Sequence, residues 1–208
     1  MSVDFTIAQA GQAQPLFELM VNIECEMEKA GFKKNISVYK VGLDERGVFE
    51  ESEKYVISGK KFRESESDLK GWEGLSVEFY SKEYTVYFLI CNYKNQYINS
   101  FIEVSGKVIE KLQSENKINS FMKVISIVAL NMKSQGGFGT FELPFEPVPP
   151  EKIISCIFNT PDGVPALMGL VSHKVADEVE IRNKASSEFK IYPLNSSFYF
   201  FENKDFSS

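Results

Sequence analysis

Apolar residues recur at helical spacing near the start of the chain. After Pro15 they fall three or four positions apart, which places them on one face of a helix. The residues on this face are Leu16, Leu19, Met20, Ile23, Met27 and Ala30. Gly31 is a typical residue for the end of such a helix. The pattern therefore predicts a helix between Pro15 and Gly31, with this face packed on a sheet.

Residues 71–93 are rich in aromatic side chains and have the period of two that is typical of β-strands. Residues 75–81 alternate apolar and polar positions, whereas residues 84–91 are apolar almost throughout, as in a strand covered on both faces. Residues 97–104 predict a third antiparallel strand. Lysine and arginine are too sparse among the aromatic residues for a nucleic-acid stacking surface. We therefore predict that this stretch forms the centre of a sheet.

Further elements follow from the same patterns. Residues 35–43 predict a strand, and a helix is predicted to begin at Ser105. Residues 118–132 have helical spacing, but their β-branched side chains leave a strand as an alternative.

The last quarter of the chain predicts mostly strands. Residues 152–159 and 164–172 are apolar arms on either side of TPDG, a hairpin turn signal. Ser172 is a candidate N-cap for a short helix. Residues 188–194 and 197–202 predict two final strands.

Residues 143–150 contain four prolines, which exclude regular structure and predict a stiff connector. The predicted fold is α+β, a mostly antiparallel sheet with helices packed on it. It forms one globular domain, or two lobes at residues 1–143 and 151–208 joined by a connector at 144–150.

Composition narrows the class of protein. With 208 residues, the chain is long enough to bury a sizeable core. Its net charge of −6, without a basic stripe, argues against nucleic-acid binding. The first residues lack the basic start of a signal peptide, and the apolar run at 121–132 is too short to cross a membrane. Three cysteines without a Cys-x-x-Cys pair fit reduced, buried thiols, so we expect a cytoplasmic protein with no membrane partner.

Catalytic and metal-binding motifs are missing from the sequence. His173 is the single histidine, which excludes sites built from several histidines, although Asp177 could orient its ring on a helix. Residues 136–141, GGFGTF, lack the Lys-Ser/Thr pair of a phosphate-binding P-loop. We therefore predict no catalytic residue, cofactor or metal ion.

Residues 44–73 are polar, and residues 63–74 predict a long loop, while residues 53–62 allow a short strand. Glu64, Glu66 and Asp68 alternate in this loop. A calcium loop is excluded because its required glycine position is occupied by leucine. A solvated run of charge is the simplest interpretation of these carboxylates.

Trp72, the only tryptophan, follows these acidic residues. Tryptophan is enriched at protein interfaces, and carboxylates attract a basic partner. Glu64, Glu66, Asp68 and Trp72 are therefore the candidate protein-binding residues. The alternative is that Trp72 folds inward as part of the core while the acidic residues are merely solvated.

The order of elements resembles a suppressor-of-fused-type domain. The resemblance lies in GLS at residues 74–76 before an apolar strand, a helical run, GGFGTFELPFEPVPP at residues 136–150, KIISCIFNTP at residues 152–161, and ALMGLVSHKVADEVE at residues 166–180. It implies an α+β binding module, and bacterial members of this type resemble immunity proteins that plug a cognate toxin. The expected partner is then a toxin domain with a basic surface. The alternatives are an enzyme with a carboxylate-based site lacking a known motif, and a phage or structural adaptor.

Overall fold

The structure is a computed structural model, and it describes residues 3–57, 61–158, 166–184 and 189–203. The strands are β1 (Asp4–Gln12), β2 (Lys33–Leu43), β3 (Phe49–Val56), β4 (Gly74–Tyr80), β5 (Thr85–Tyr93), β6 (Tyr97–Ser105), β7 (Gly136–Phe141), β8 (Met168–Ser172), β9 (Phe189–Pro193) and β10 (Phe198–Asn203). The helices are α1 (Leu16–Lys29), α2 (Glu66–Leu69), α3 (Gly106–Ser114), α4 (Ile118–Asn131), α5 (Ile153–Phe158) and α6 (Glu178–Lys184), with 3-10 turns at Phe62–Glu64 and Pro150–Lys152.

All of these strands pair antiparallel in one sheet, in the order β3-β2-β4-β5-β6-β1-β7-β8-β10-β9. One face packs on α1, α3 and α4. The other face is covered in part by residues 143–149 together with α5 and α6. The predicted α+β class, an antiparallel sheet with helices packed on it, is confirmed.

The strongest sequence patterns correspond to observed elements. α1 buries its predicted apolar face, except that Ala30 is an exposed cap residue, and Gly31 has a φ of 90° just after the helix. The aromatic stretch forms the β4–β5 hairpin, in which Phe79 and Phe88 are fully buried with ring centroids 5.1 Å apart. Residues 118–132, left open between helix and strand, form α4.

Two central strands were not predicted. β1 lies between β6 and β7, and the GGFGTF segment, for which no strand was predicted, is the strand β7. Glycine is needed here because a Cβ on Gly139 would lie 2.6 Å from the Ile7 side chain. The small residues that hide the strand pattern are the ones that let β7 approach β1 closely.

The short strand considered within residues 53–62 is present in part, because β3 runs from Phe49 to Val56 and pairs with β2. The predicted loop at residues 63–74 is wrong, because a 3-10 turn and α2 occupy part of it. The predicted strand at residues 152–159 is also wrong, because α5 occupies this position. Ile153 and Cys156 are three positions apart and both buried, and Ile153 packs over Gly136 of β7. The preceding prolines favour a helix start.

The rest of the C-terminal prediction is confirmed in part. The arm predicted at residues 164–172 contains β8, and the two final strands are β9 and β10, while the TPDG turn lies outside the described residues. The helix predicted to begin at Ser172 begins instead at Glu178. Asp177 is its cap, because its Oδ1 accepts the Glu180 N–H at 2.8 Å.

Residues 143–149 are irregular, as predicted from their prolines, and cross the sheet. We call this segment the strap. Phe145 O accepts the Phe49 N–H at 2.9 Å, and Asn99 makes two hydrogen bonds to the Val148 backbone. The strands on its two sides, β7 and β8, pair with each other. The strap therefore lies over the sheet, and its position is fixed by backbone hydrogen bonds.

Candidate functional site

An open groove of about 680 Å³ lies between the start of α1 and the segment that precedes β4. From α1 it is lined by Pro15, Leu16 and Phe17. Its other wall comes from residues 63–72. The segment 63–72 contains all four of the residues that the sequence singled out as candidates for protein binding.

Three of the four predicted residues meet in this groove. Glu64, Glu66 and Trp72 line it, whereas Asp68 is exposed on α2 and does not. The carboxylates belong to a 3-10 turn and a short helix, not to the loop that was predicted. Asp68 follows Glu66 by two positions on α2, and side chains two positions apart on a helix point in different directions.

The segment folds this way because two apolar residues anchor it. Phe62 and Leu69 are buried in the main core, and the backbone turns between them are hydrogen-bonded. Gly71 has a φ of 80°, which turns the chain before Trp72, and the Trp72 N–H donates to Leu69 O at 3.1 Å. The groove wall is thus a hydrogen-bonded structure that presents its polar residues outward.

A buried carboxylate fastens this wall to α1. Glu24 Oε2 accepts the Phe62 N–H at 2.8 Å, and Glu24 Oε1 lies 3.9 Å from Lys34 Nζ, which sits over the Phe62 ring. Burial raises the pKa of Glu24, while the Phe62 N–H and Lys34 lower it. For Lys34, burial acts in the opposite direction and lowers the pKa, because it disfavours the charged ammonium form. This pair was not predicted, because Glu24 lies beside the apolar stripe of α1 and resembles an ordinary surface carboxylate.

Trp72 lies partly in the core and partly at the groove surface, so it fits both the core position and the binding position that the sequence left open. It is half-buried against the main core, and it also lines the groove. Its ring meets Tyr55 of β3 edge-on at 4.7 Å, and the Tyr55 hydroxyl donates to Glu53 at 2.7 Å. The indole is therefore held by neighbours while part of it faces the groove.

The charges of the lining are mixed. Arg63 and Lys70 line the groove together with Glu64 and Glu66. Neither basic residue was predicted, because the prediction considered only the three carboxylates and Trp72. Pro15, Leu16 and Phe17 escaped it too, since only the fold brings the start of α1 next to Trp72. Phe17, half-buried outside the apolar stripe of α1, is the one residue that could have signalled a second contact.

The candidate chemical residues are dispersed. His173 is exposed in a turn rather than on a helix, with its ring 4.1 Å from that of Tyr199, and Asp177 caps α6 instead of orienting His173. Cys91 is buried, which raises its pKa to about 12. Cys25 is exposed, which corrects the expectation that all three thiols are buried.

Within the described ranges, no three His, Cys, Asp or Glu side chains converge as a metal site would require. Over the same ranges, no helix has the length and apolar character needed to cross a membrane.

Comparison with protein-family models and with curated protein sequences gives no match for this chain.

Proposed function

We propose that this chain is a non-enzymatic protein-binding module, a cytoplasmic immunity protein that neutralises a cognate bacterial toxin by direct binding. The observation that carries the proposal is the half-buried Trp72 on the wall of the groove. A partner side chain that enters the groove would complete the burial of its indole ring.

The geometry around Trp72 supports a binding role for physical reasons. Interface residues that dominate affinity are usually aromatic and lie in pockets that lose water on binding. A side chain already held in place loses little conformational entropy when it binds. The contact with Tyr55 and the backbone bond to Leu69 hold Trp72 in this way.

The charge of the whole chain favours a basic partner. The net charge is −6, and opposite charge speeds the encounter of two proteins. The groove lining itself carries charges of both signs, so its side chains fix the register of a partner more than they attract it. The basic toxin surface is expected to meet the two carboxylates of the groove wall, Glu64 and Glu66.

The geometry supports binding better than catalysis. Burial raises the pKa of Glu24 and Glu103, as an enzyme with a carboxylate-based site would require. Neither carboxyl lines the groove, and they lie on different elements, α1 and β6. The groove lining instead combines aromatic, aliphatic and charged side chains, a composition that supports a binding surface.

The test is recovery of the partner from the native host with the tagged full chain, followed by affinity measurements on variants. Trp72→Ala is expected to weaken binding by about 30-fold, which corresponds to about 2 kcal/mol for a central interface residue. Tyr192→Ala is the matched control, because Tyr192 is an exposed aromatic residue on β9 at the opposite sheet edge.

The acidic residues offer a second matched pair. Glu66→Gln alters the groove, whereas Asp68→Asn alters the same helix outside it, so only Glu66→Gln should change the affinity. Expression of the chain should also protect cells from the partner toxin. Equal affinity of wild type and Trp72→Ala would remove the groove from the interface. Recovery of no protein partner, or of one that is not toxic, would overturn the proposed function.

A further inference from the structure

β3 is the outermost strand of the sheet, with β2 on its inner side. At its start, the Phe49 N–H is bonded to the strap. Residues 50–56 are all exposed, and no other strand of the described residues pairs with their outer side. An edge strand presents backbone N–H and C=O groups that can bond to another strand.

The charge on β3 selects what can pair there. Glu50, Glu51 and Glu53 are exposed, against one lysine, Lys54. The Glu51 carboxylate is turned onto the sheet, where it accepts hydrogen bonds from the hydroxyls of Ser76 and Tyr87. Pairing of β3 with a second copy of itself would bring like charges together, which is destabilising. A strand with basic side chains would instead be attracted to these glutamates.

The far end of β3 offers apolar surface. Val56 is 61% exposed, and Ile36 of the neighbouring strand β2 is 54% exposed. Tyr55, the residue before Val56, connects this end of β3 to the groove, because its ring contacts Trp72. Peptides that add to a sheet edge gain affinity from backbone bonds and specificity from side-chain pockets beside the strand. Both parts are present here, side by side.

We infer that β3 pairs with an extended, basic segment of the partner protein, which adds a strand to the sheet and places a side chain in the groove at Trp72. This inference rests on the proposed function and names the chemistry of the partner segment. The backbone of β3 supplies the bonds, and Glu50 and Glu53 supply the charge preference.

The probe is a fluorescent peptide of alternating lysine and valine, long enough to span β3, titrated with the full chain at low salt. Two further peptides carry N-methyl groups on alternate amides, one on each edge of the strand. Each keeps the charge of the parent but cannot donate hydrogen bonds from the methylated edge. We expect one of them to bind about tenfold more weakly than the parent, because only one edge faces β3. The double variant Glu50→Gln, Glu53→Gln should also bind the parent peptide more weakly. Glu110→Gln, at an exposed position of α3, should leave peptide binding unchanged.

Hydrogen exchange locates the peptide. Amides of β3 should become protected on binding, and those of β9, the other edge of the sheet, should not. Equal binding of all three peptides, protection confined to β9, or no binding of the parent peptide would each overturn strand addition. If Trp72→Ala loses toxin binding but the three peptides bind equally, strand addition is wrong and the proposed function still holds. Strand addition in a protein that protects against no toxin would overturn only the proposed function.

Discussion

At the scale of single residues, Phe88 is the most central side chain of the aromatic stretch. It is fully buried on β5 and packs against Phe79. Phe88→Ala should lower the free energy of unfolding by about 3–5 kcal/mol, because it removes a large buried ring and leaves a cavity. Urea unfolding measures this, with Tyr80→Ala on the exposed side of β4 as the control. A Phe88→Ala variant as stable as wild type would show that the core lies elsewhere.

Glu103 makes stability depend on pH. Burial raises its pKa above the ordinary value of 4.5, against the hydrogen bond from Thr6 at 3.1 Å. The folded state therefore holds the proton more tightly than the unfolded chain, and its stability falls as pH rises through this range. Glu103→Gln should melt at a higher temperature than wild type at about pH 7, and the gap should close towards about pH 4.

Glu110→Gln controls for the loss of one surface charge, since Glu110 is exposed on α3. Thermal melts across this pH range measure both variants. A gap between Glu103→Gln and wild type that stays constant with pH would contradict the prediction.

At the scale of elements, the sequence predicted those whose signal is local. α1 and the strands β4 to β6 carry their own apolar period, so they were found. β7 was missed because its glycines are explained only by contact with β1. β3 was predicted only in part, because an exposed edge strand needs no apolar face. Trp72 was found because it is the only tryptophan, whereas Pro15 and Phe17 join the site only through the fold.

The strap gives a test at this scale. Asn99 Nδ2 donates to Val148 O at 2.8 Å, and Asn99 Oδ1 accepts the Val148 N–H at 3.2 Å. Asn99→Ala leaves buried backbone groups without these bonds, which should cost about 1–3 kcal/mol. Faster hydrogen exchange at the Val148 amide would locate the effect in the strap. Asn119→Ala, at an exposed position of α4, is the control, and an unchanged Val148 amide would contradict the prediction.

At the scale of the whole molecule, one sheet runs through both predicted lobes, since β7 and β8 pair across residues 144–150. We expect one cooperative unfolding transition. Fluorescence of Trp72 follows the β3 end of the sheet. A Trp72→Phe, Tyr199→Trp variant moves the fluorophore to β10. The midpoint from each fluorophore should equal the midpoint from far-ultraviolet circular dichroism of the same variant, whereas separate transitions would establish two lobes.

The position of β1 in the middle of the sheet has a consequence for synthesis of the chain. β1 leaves the ribosome before the strands that flank it, β6 and β7, which begin only at Tyr97 and Gly136. Until β6 and β7 have been synthesised, the backbone of β1 cannot form its sheet hydrogen bonds and its apolar side chains stay uncovered. Pairing between strands so far apart in the sequence slows folding. The nascent chain therefore carries an incomplete sheet until β7 has emerged, and we expect chaperones that recognise exposed apolar segments to bind it in that interval.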